Sequence, residues 1–251
     1  MNTKNNKVAL VTGAAQGLGF VICQKLHEAG YAVVMSDIQL EQAQQSASEV
    51  DVTGNKVVAT KLNVGQKQDF VDALAFTIDT FGHCDVLVNN AATTPTTPVM
   101  DISPEEFSQV IDINLRGNFL GSQVFGQYFA DRAFGRIINL ASLAGQMGGT
   151  ASGAHYAASK AGIITLTKIF ARQFAEAGVT VNAIAPGPVD VPSVRDKVSA
   201  EKLEHIINNM IPVKAMSNPE FIGSMVVMLA AQDASTVTGA TWDINGGIYM
   251  R

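Results

Sequence analysis

The chain reads as a doubly wound α/β sheet, and three observations predict it. Short apolar, β-branched runs alternate with longer helical patterns from end to end. Several of those runs are continuously apolar, as expected for parallel strands covered on both faces. No repeat, linker or low-complexity tract breaks the alternation, which implies right-handed crossovers within one sheet. A chain of 251 residues suits one large domain that buries about three quarters of its unfolded surface. Residues 1–251 therefore read as a single domain.

The elements follow in order. Strand Val8–Thr12 leads into helix Gly17–Ala29, and strand Ala32–Ser36 into helix Leu40–Val50. Strand Lys56–Thr60 precedes helix Gln66–Phe81, and strand Val86–Asn89 precedes a long helix, Pro104–Arg132. Strand Arg136–Leu140 is followed by helix Tyr156–Ala177, then by strand Val179–Ala183, helix Pro219–Ala231 and strand Thr241–Ile244. The expected sheet has seven parallel strands in the order 3-2-1-4-5-6-7, with helices on both faces. The longest stretch between these elements, with one helical pattern at Ala200–Met210, reads as a substrate lid over about residues 188–216. Thr93–Pro98 reads as a loop at the cleft rim. The helices around Phe119, Phe125 and Phe129, and around Ile163, Ile169 and Phe170, are apolar on more than one face. A locally deep core would account for that; a second copy of the chain, giving a homodimer or homotetramer, is the expectation adopted.

Composition excludes several functions. The formal net charge is −5, from 17 basic and 22 acidic residues without a like-charged block. That predicts no nucleic-acid stripe and no polybasic membrane patch. Met1–Lys7 is followed by only the four apolar residues Val8–Val11, so no signal-peptide core is expected. Phe221–Ala231 is too short to span a bilayer. The two cysteines, Cys23 and Cys84, fall in separate elements, read as ordinary semi-buried thiols, and suggest no metal cluster or disulfide. A cytoplasmic protein with no metal is the expectation.

The first strand ends in Thr12-Gly13-Ala14-Ala15-Gln16-Gly17-Leu18-Gly19. A strand that turns sharply into a helix beside a pyrophosphate needs glycine at Gly13 and Gly17, and at Gly19 for close helix–sheet packing. The spacing differs from the commoner Gly-x-Gly-x-x-Gly, and any tight strand–helix junction favours glycine. Asp37, at the end of strand two, stands 24 residues past Gly13. That interval places an acid near the adenosine ribose hydroxyls. Gln16 and Ile38 supply no cation for a 2′-phosphate, so NAD is the expected cofactor of this Rossmann domain. An aspartate there also suits an N-cap for the following helix.

Of four tyrosines, only Tyr156 has a lysine, Lys160, four positions on, which puts the two on one helix face. A phenol titrates near ~10, and a nearby ammonium is expected to favour phenolate. Ser142, just past strand Arg136–Leu140, lies where its hydroxyl can hold a substrate oxygen. Asn114, inside the long helix, can interrupt the helical ladder and hold a water leading protons to Lys160. His155 reads as structural or surface, and Met225 and Met228 as helix-to-sheet packing.

These residues, with Asn89-Asn90-Ala91 and Pro186-Gly187, resemble the short-chain dehydrogenase/reductase family over essentially the whole chain. The resemblance implies an Asn114–Ser142–Tyr156–Lys160 tetrad. In it Tyr156 is general acid or base, Ser142 positions the carbonyl, and Lys160 also holds the nicotinamide ribose. Asn90 would stabilise the central strand beside the cofactor. Leu18, Asn63, Val64, Ala91, Pro186, Gly187 and Val189 would join Gly13, Gln16, Gly17, Gly19, Asp37 and Ile38 along the dinucleotide. Three positions depart from the family pattern. Asn63 replaces an aspartate while keeping an acceptor oxygen, Ala92 replaces a glycine, and Val191 replaces a threonine that reaches the carboxamide. The expected activity is NAD-dependent oxidoreduction of a small or medium secondary alcohol or ketone. The alternative is reduction of a 3-oxoacyl thioester on an acyl carrier protein.

Overall fold

Seven parallel strands pair in the order β3-β2-β1-β4-β5-β6-β7 in a computed structural model that describes residues 7–149, 152–195 and 199–251. Residues 1–6 and lid positions 196–198, both covered by the expectations above, lie outside the described residues. The strands are β1 (Val8–Thr12), β2 (Ala32–Asp37), β3 (Val57–Lys61), β4 (Val86–Asn89), β5 (Gly135–Leu140), β6 (Val179–Pro186) and β7 (Thr241–Ile244). The helices are α1 (Gly17–Glu28), α2 (Leu40–Val50), α3 (Lys67–Phe81), α4 (Pro104–Val110), α5 (Gly117–Asp131), α6 (Ala144–Met147), α7 (Ala154–Phe174), α8 (Pro192–Arg195), α9 (Ala200–His205) and α10 (Pro219–Ala230).

The two-residue period of a strand explains the continuous apolar runs. Ala9, Val11, Val33, Met35, Val88 and Ile138 face one side, against Ile22 and Leu26 of α1 and Ile222, Val226 and Leu229 of α10. Their neighbours Leu10, Val34, Leu87 and Ile137 face the other, against Phe70 of α3, Phe125 and Phe129 of α5, and Phe170 and Phe174 of α7. Burial of each large side chain contributes about 1.5–3 kcal/mol. Both cysteines are fully buried, deeper than the sequence suggested, and burial pushes the Cys84 thiol up to about 12.

The long helix expected over 104–132 is broken. Between α4 and α5 lies a π-helical stretch, Ile111–Arg116, with Asn114 inside it. The ladder interruption expected at Asn114 is therefore present, and such bulges concentrate at functional sites. β6 runs three residues further than expected, to Pro186, and the last turn before β6, Ala175–Ala177, is 3-10. Only Ala200–His205 of the lid helix is α-helical, and it continues as a π stretch, Ile206–Met210.

A polar ladder crosses the centre of the fold. Asn89 Nδ2 donates to Asn139 Oδ1 (2.9 Å), and Asn139 Nδ2 donates to Thr167 Oγ1 (2.9 Å). All three residues are buried, so β4, β5 and α7 are registered by directional bonds. The strand order reverses between β1 and β4, which opens a crevice at the carboxyl edge of the sheet.

Candidate active site

That edge gathers the turn after β1, Asp37 of β2, Asn90 after β4, Ser142 after β5 and Pro186 of β6. Gly13 has φ +64°, and a Cβ there would meet Ala91 Cα at 2.7 Å. A Cβ on Gly19 would strike the Gly13 carbonyl oxygen at 2.2 Å. Only glycine lets α1 begin this close to the sheet. At Gly17 a Cβ would meet no protein atom within 4 Å, so the turn leaves open space above its backbone. Asn90 Nδ2 donates to the carbonyls of Thr12 (2.9 Å) and Gly13 (3.0 Å), and its N–H donates to Thr12 Oγ1 (3.0 Å). The β1 turn is thus fastened to the end of β4. The cradle fits a dinucleotide pyrophosphate.

Asp37 accepts from Ala15 N–H at Oδ2 (3.1 Å) and from Gln39 N–H at Oδ1 (3.0 Å). The residue that caps α2 is Gln39, so Asp37 closes the turn before the helix instead of capping it. Its carboxylate is held at the rim beside exposed Gln16 and exposed Ile38. Two of the expected lining residues make further contacts. Asn63 Oδ1 accepts from Gly65 N–H (3.0 Å), so its acceptor is already engaged in a local turn. Val64 packs into the core against Gly117, which leaves its backbone as the part facing the edge. Leu18 and Val189 are partly buried against the core beneath the crevice.

Ser142, Tyr156, Pro186 and Gly187 line one cavity of about 270 Å³. Its walls are mainly apolar: Leu143 and Met147 of the α6 region, Val194, Leu203, Ile206 and Met210 of residues 192–210, and Ile248 near the carboxyl end, with the hydroxyls of Thr94, Thr96 and Ser152 among them. Among the described residues no charged side chain lines it. Asn114 and Lys160 are not among the lining residues. Asn114 is buried; its Oδ1 accepts from Thr93 N–H (2.8 Å), and its Nδ2 donates to Thr93 O (2.9 Å) and Ser159 Oγ (3.1 Å). Ser159 in turn donates to the Tyr156 carbonyl (2.7 Å). The Asn114 side chain is a clamp between loop and helix, set within the π stretch Ile111–Arg116.

The expected acidification of Tyr156 by Lys160 is not what the surroundings produce. Lys160 Nζ lies 5.6 Å from the Tyr156 ring centroid and donates to Leu140 O (2.6 Å). Burial pushes its pKa from 10.5 to about 8, and burial also pushes the Tyr156 phenol up, against the lowering pull of hydrogen bonds to Ser142 and Thr94. Desolvation disfavours whichever form is charged, so both groups tend toward neutrality. Burial thus favours the protonated phenol.

Sequence reasoning missed Thr94, which lines the cavity with Tyr156, and most of the apolar wall; only the rim position of Thr93–Pro98 signalled the former. His155, read as structural, is fully buried against Tyr156 and Glu106.

A family model described as Enoyl-(Acyl carrier protein) reductase matches residues 13–249. The chain belongs to the short-chain dehydrogenase/reductase family. It is 37% identical over 248 residues to a 3-oxoacyl-(acyl-carrier-protein) reductase of Staphylococcus epidermidis, covering 98% of this chain and all of the relative. A Synechocystis 3-oxoacyl-(acyl-carrier-protein) reductase is 35% identical over 252 residues, covering all of both chains. An acetoacetyl-CoA reductase of Rhizobium meliloti is 36% identical over 245 residues, covering 98% of this chain and 99% of the relative. As a member of this family, the protein is an oxidoreductase that uses a nicotinamide cofactor.

Proposed function

We propose that the protein interconverts a 3-oxoacyl thioester and its 3-hydroxyacyl counterpart, using NAD(H). The observation that carries this reading is a chamber walled mainly by apolar side chains, with Ser142 and Tyr156 among its few hydroxyls. It suits an acyl chain in which only the 3-oxo and thioester oxygens need polar partners. The full-length relatives named for 3-oxoacyl and acetoacetyl thioesters favour this substrate class over a free alcohol or ketone.

Bound in the crevice, the dinucleotide supplies the two-electron transfer to or from the substrate carbon. The chain's residues do the rest. Ser142 donates a hydrogen bond to the carbonyl oxygen. Tyr156 gives its phenolic proton to that oxygen on reduction and takes it back on oxidation. Lys160 holds the nicotinamide ribose and stabilises phenolate once the proton has left. Asn114, through its π stretch, anchors the water that restores the proton.

Gly13, Gln16, Gly17, Leu18 and Gly19 cradle the phosphates. Asp37 takes the adenosine ribose hydroxyls, with Ile38, Asn63 and Val64 along the adenosine. Asn90, Ala91, Pro186, Gly187 and Val189 line the nicotinamide half. The negative charge of Asp37, with no cation at 16 or 38, supports NAD over NADP. Residues 188–216 act as the lid. The exposed Phe119 and Ile169, beside a groove lined by Leu115 and Leu166, support helix-paired homodimers or homotetramers.

A free secondary alcohol or ketone is the second reading, favoured by Asp37 and by the uncharged lining. Initial rates with NADH and NADPH on acetoacetyl-CoA, set against a panel of ketones, diols and hydroxysteroids, separate the two. A higher kcat/KM on acetoacetyl-CoA with NADH is expected. Higher efficiency on a free ketone would replace the thioester assignment, and preference for NADPH would remove the role of Asp37.

A further inference from the structure

We propose that His155 and Glu106 form a positioning couple that locks the substrate-facing loop Thr93–Pro98 onto the first turn of α7, so that Thr94 is held in the cavity wall it shares with Tyr156. The inference rests on the catalytic assignment of Tyr156 above.

The first amides of a helix have no partner within it. Residue Gly153, at the N-cap of α7, has no side chain to serve them. His155 takes that part: its Nδ1 accepts from the Tyr156 N–H at 3.0 Å. A ring nitrogen that accepts carries no proton, so in the neutral ring the proton lies on Nε2, 3.1 Å from Glu106 Oε1. The same oxygen accepts from Thr97 Oγ1 at 2.6 Å. Glu106 stands three residues after Ser103, which caps α4. In that position a glutamate ordinarily folds back on its own helix start; here it reaches across to α7 and the loop.

A second tie runs in parallel, from Gly153 N–H to Pro95 O (3.0 Å). A Cβ on Gly153 would meet His155 Cε1 at 2.3 Å, so glycine makes room for the ring. Phe107 stacks on the imidazole with centroids 6.4 Å apart at 25°. The imidazole is fully buried and its two nitrogens are both satisfied. Thr94 adjoins Pro95 on one side and the Asn114-clamped Thr93 on the other, and it lines the cavity together with Tyr156. Displacement of the loop therefore moves the cavity wall shared with the proton-transferring group, while the glycine turn that cradles the dinucleotide lies on other elements.

The experiment is a double-mutant cycle on the full chain, with acetoacetyl-CoA or any ketone the wild type turns over. His155→Phe keeps the stack and loses both bonds. It should lower kcat by about tenfold or more while the NADH Kd stays within about twofold. Thr97→Val and Glu106→Ala should lower kcat likewise, and Thr97→Ser and Glu106→Gln should restore it to within about threefold. In a Thr94→Val background, His155→Phe should cost less than about threefold, because the two act in series. Equal losses in both backgrounds, or wild-type kcat in His155→Phe, would overturn the couple. Amide hydrogen exchange gives an independent arm: loss of protection at Gly153 and residues 93–97 in the variant, with the α10 core unchanged, is expected. Unchanged loop protection overturns the proposal even if no substrate is found, whereas absent turnover in the wild type overturns only the catalytic reading. If His155→Phe does not fold, His155→Asn keeps an acceptor near the Tyr156 N–H and breaks only the Glu106 arm.

Discussion

Replacing Lys160 with methionine should make the protein more stable and less active. The Lys160 side chain is 3% exposed, and burial lowers its pKa from 10.5 to about 8. At about 1.4 kcal/mol per pH unit, keeping that ammonium charged in the fold costs about 3 kcal/mol at neutral pH. Methionine fills similar volume without charge. It leaves Leu140 O without its donor, a loss of about 1–2 kcal/mol. The net gain is about 1–2 kcal/mol, or a rise in Tm of roughly 3–6 °C for a chain of this size. The pH dependence follows from proton uptake. Below about 8 both folded and unfolded chains carry the charge and the penalty is complete. Between about 8 and 10.5 the unfolded chain binds more protons, so wild-type stability rises with pH. The advantage of Lys160→Met should therefore shrink and reverse by about pH 10. Thermal unfolding of both proteins at pH 7 and pH 10, without dinucleotide, measures this. A less stable variant at pH 7, or a gap independent of pH, would refute the reasoning.

Tyr156→Phe should reduce turnover by roughly a hundredfold or more, with NADH binding followed by fluorescence essentially unchanged. Asp37→Ser should raise the NADPH-to-NADH ratio of kcat/KM, since it removes the carboxylate that repels a 2′-phosphate; an unchanged ratio places cofactor choice elsewhere. Gly19→Ala drives a Cβ into the Gly13 carbonyl and should abolish NADH binding while lowering the denaturant midpoint. Ile206→Trp, placed in the cavity wall, should raise KM for acetoacetyl-CoA and spare NADH affinity; an equal effect on both would put Ile206 outside the substrate chamber.

The sheet was legible because its signal is local. Val8–Thr12 and Val86–Asn89 are recovered with the same ends from apolar continuity alone. Gly13, Gly17 and Gly19 were legible because a sharp strand-to-helix turn leaves few chemical choices. The polar anchors beneath the sheet were not. Buried Asp85 accepts from Val8 N–H (2.9 Å) and pairs with His83 and Arg132, contacts set by strand order. Arg136 lies buried, donating to carbonyls of residues 231 and 232 nearly a hundred positions away. The cavity wall was illegible for the same reason: Met147, Leu203 and Ile248 meet only after the chain has closed. The sign of the phenol's shift went astray because a four-residue interval gives proximity and says nothing about desolvation. The bond from the Gly65 amide to Asn63 Oδ1 was not legible either, because the turn of the loop sets it.

The amide–amide–hydroxyl rungs through Asn89, Asn139 and Thr167 bear on how such an enzyme changes its diet. They bolt α7, the helix that carries Tyr156 and Lys160, to the middle strands, while Leu203, Ile206 and Met210 reach the same cavity from residues 200–210. Those three side chains can be re-tailored to longer, shorter or branched guests while the reaction geometry stays put.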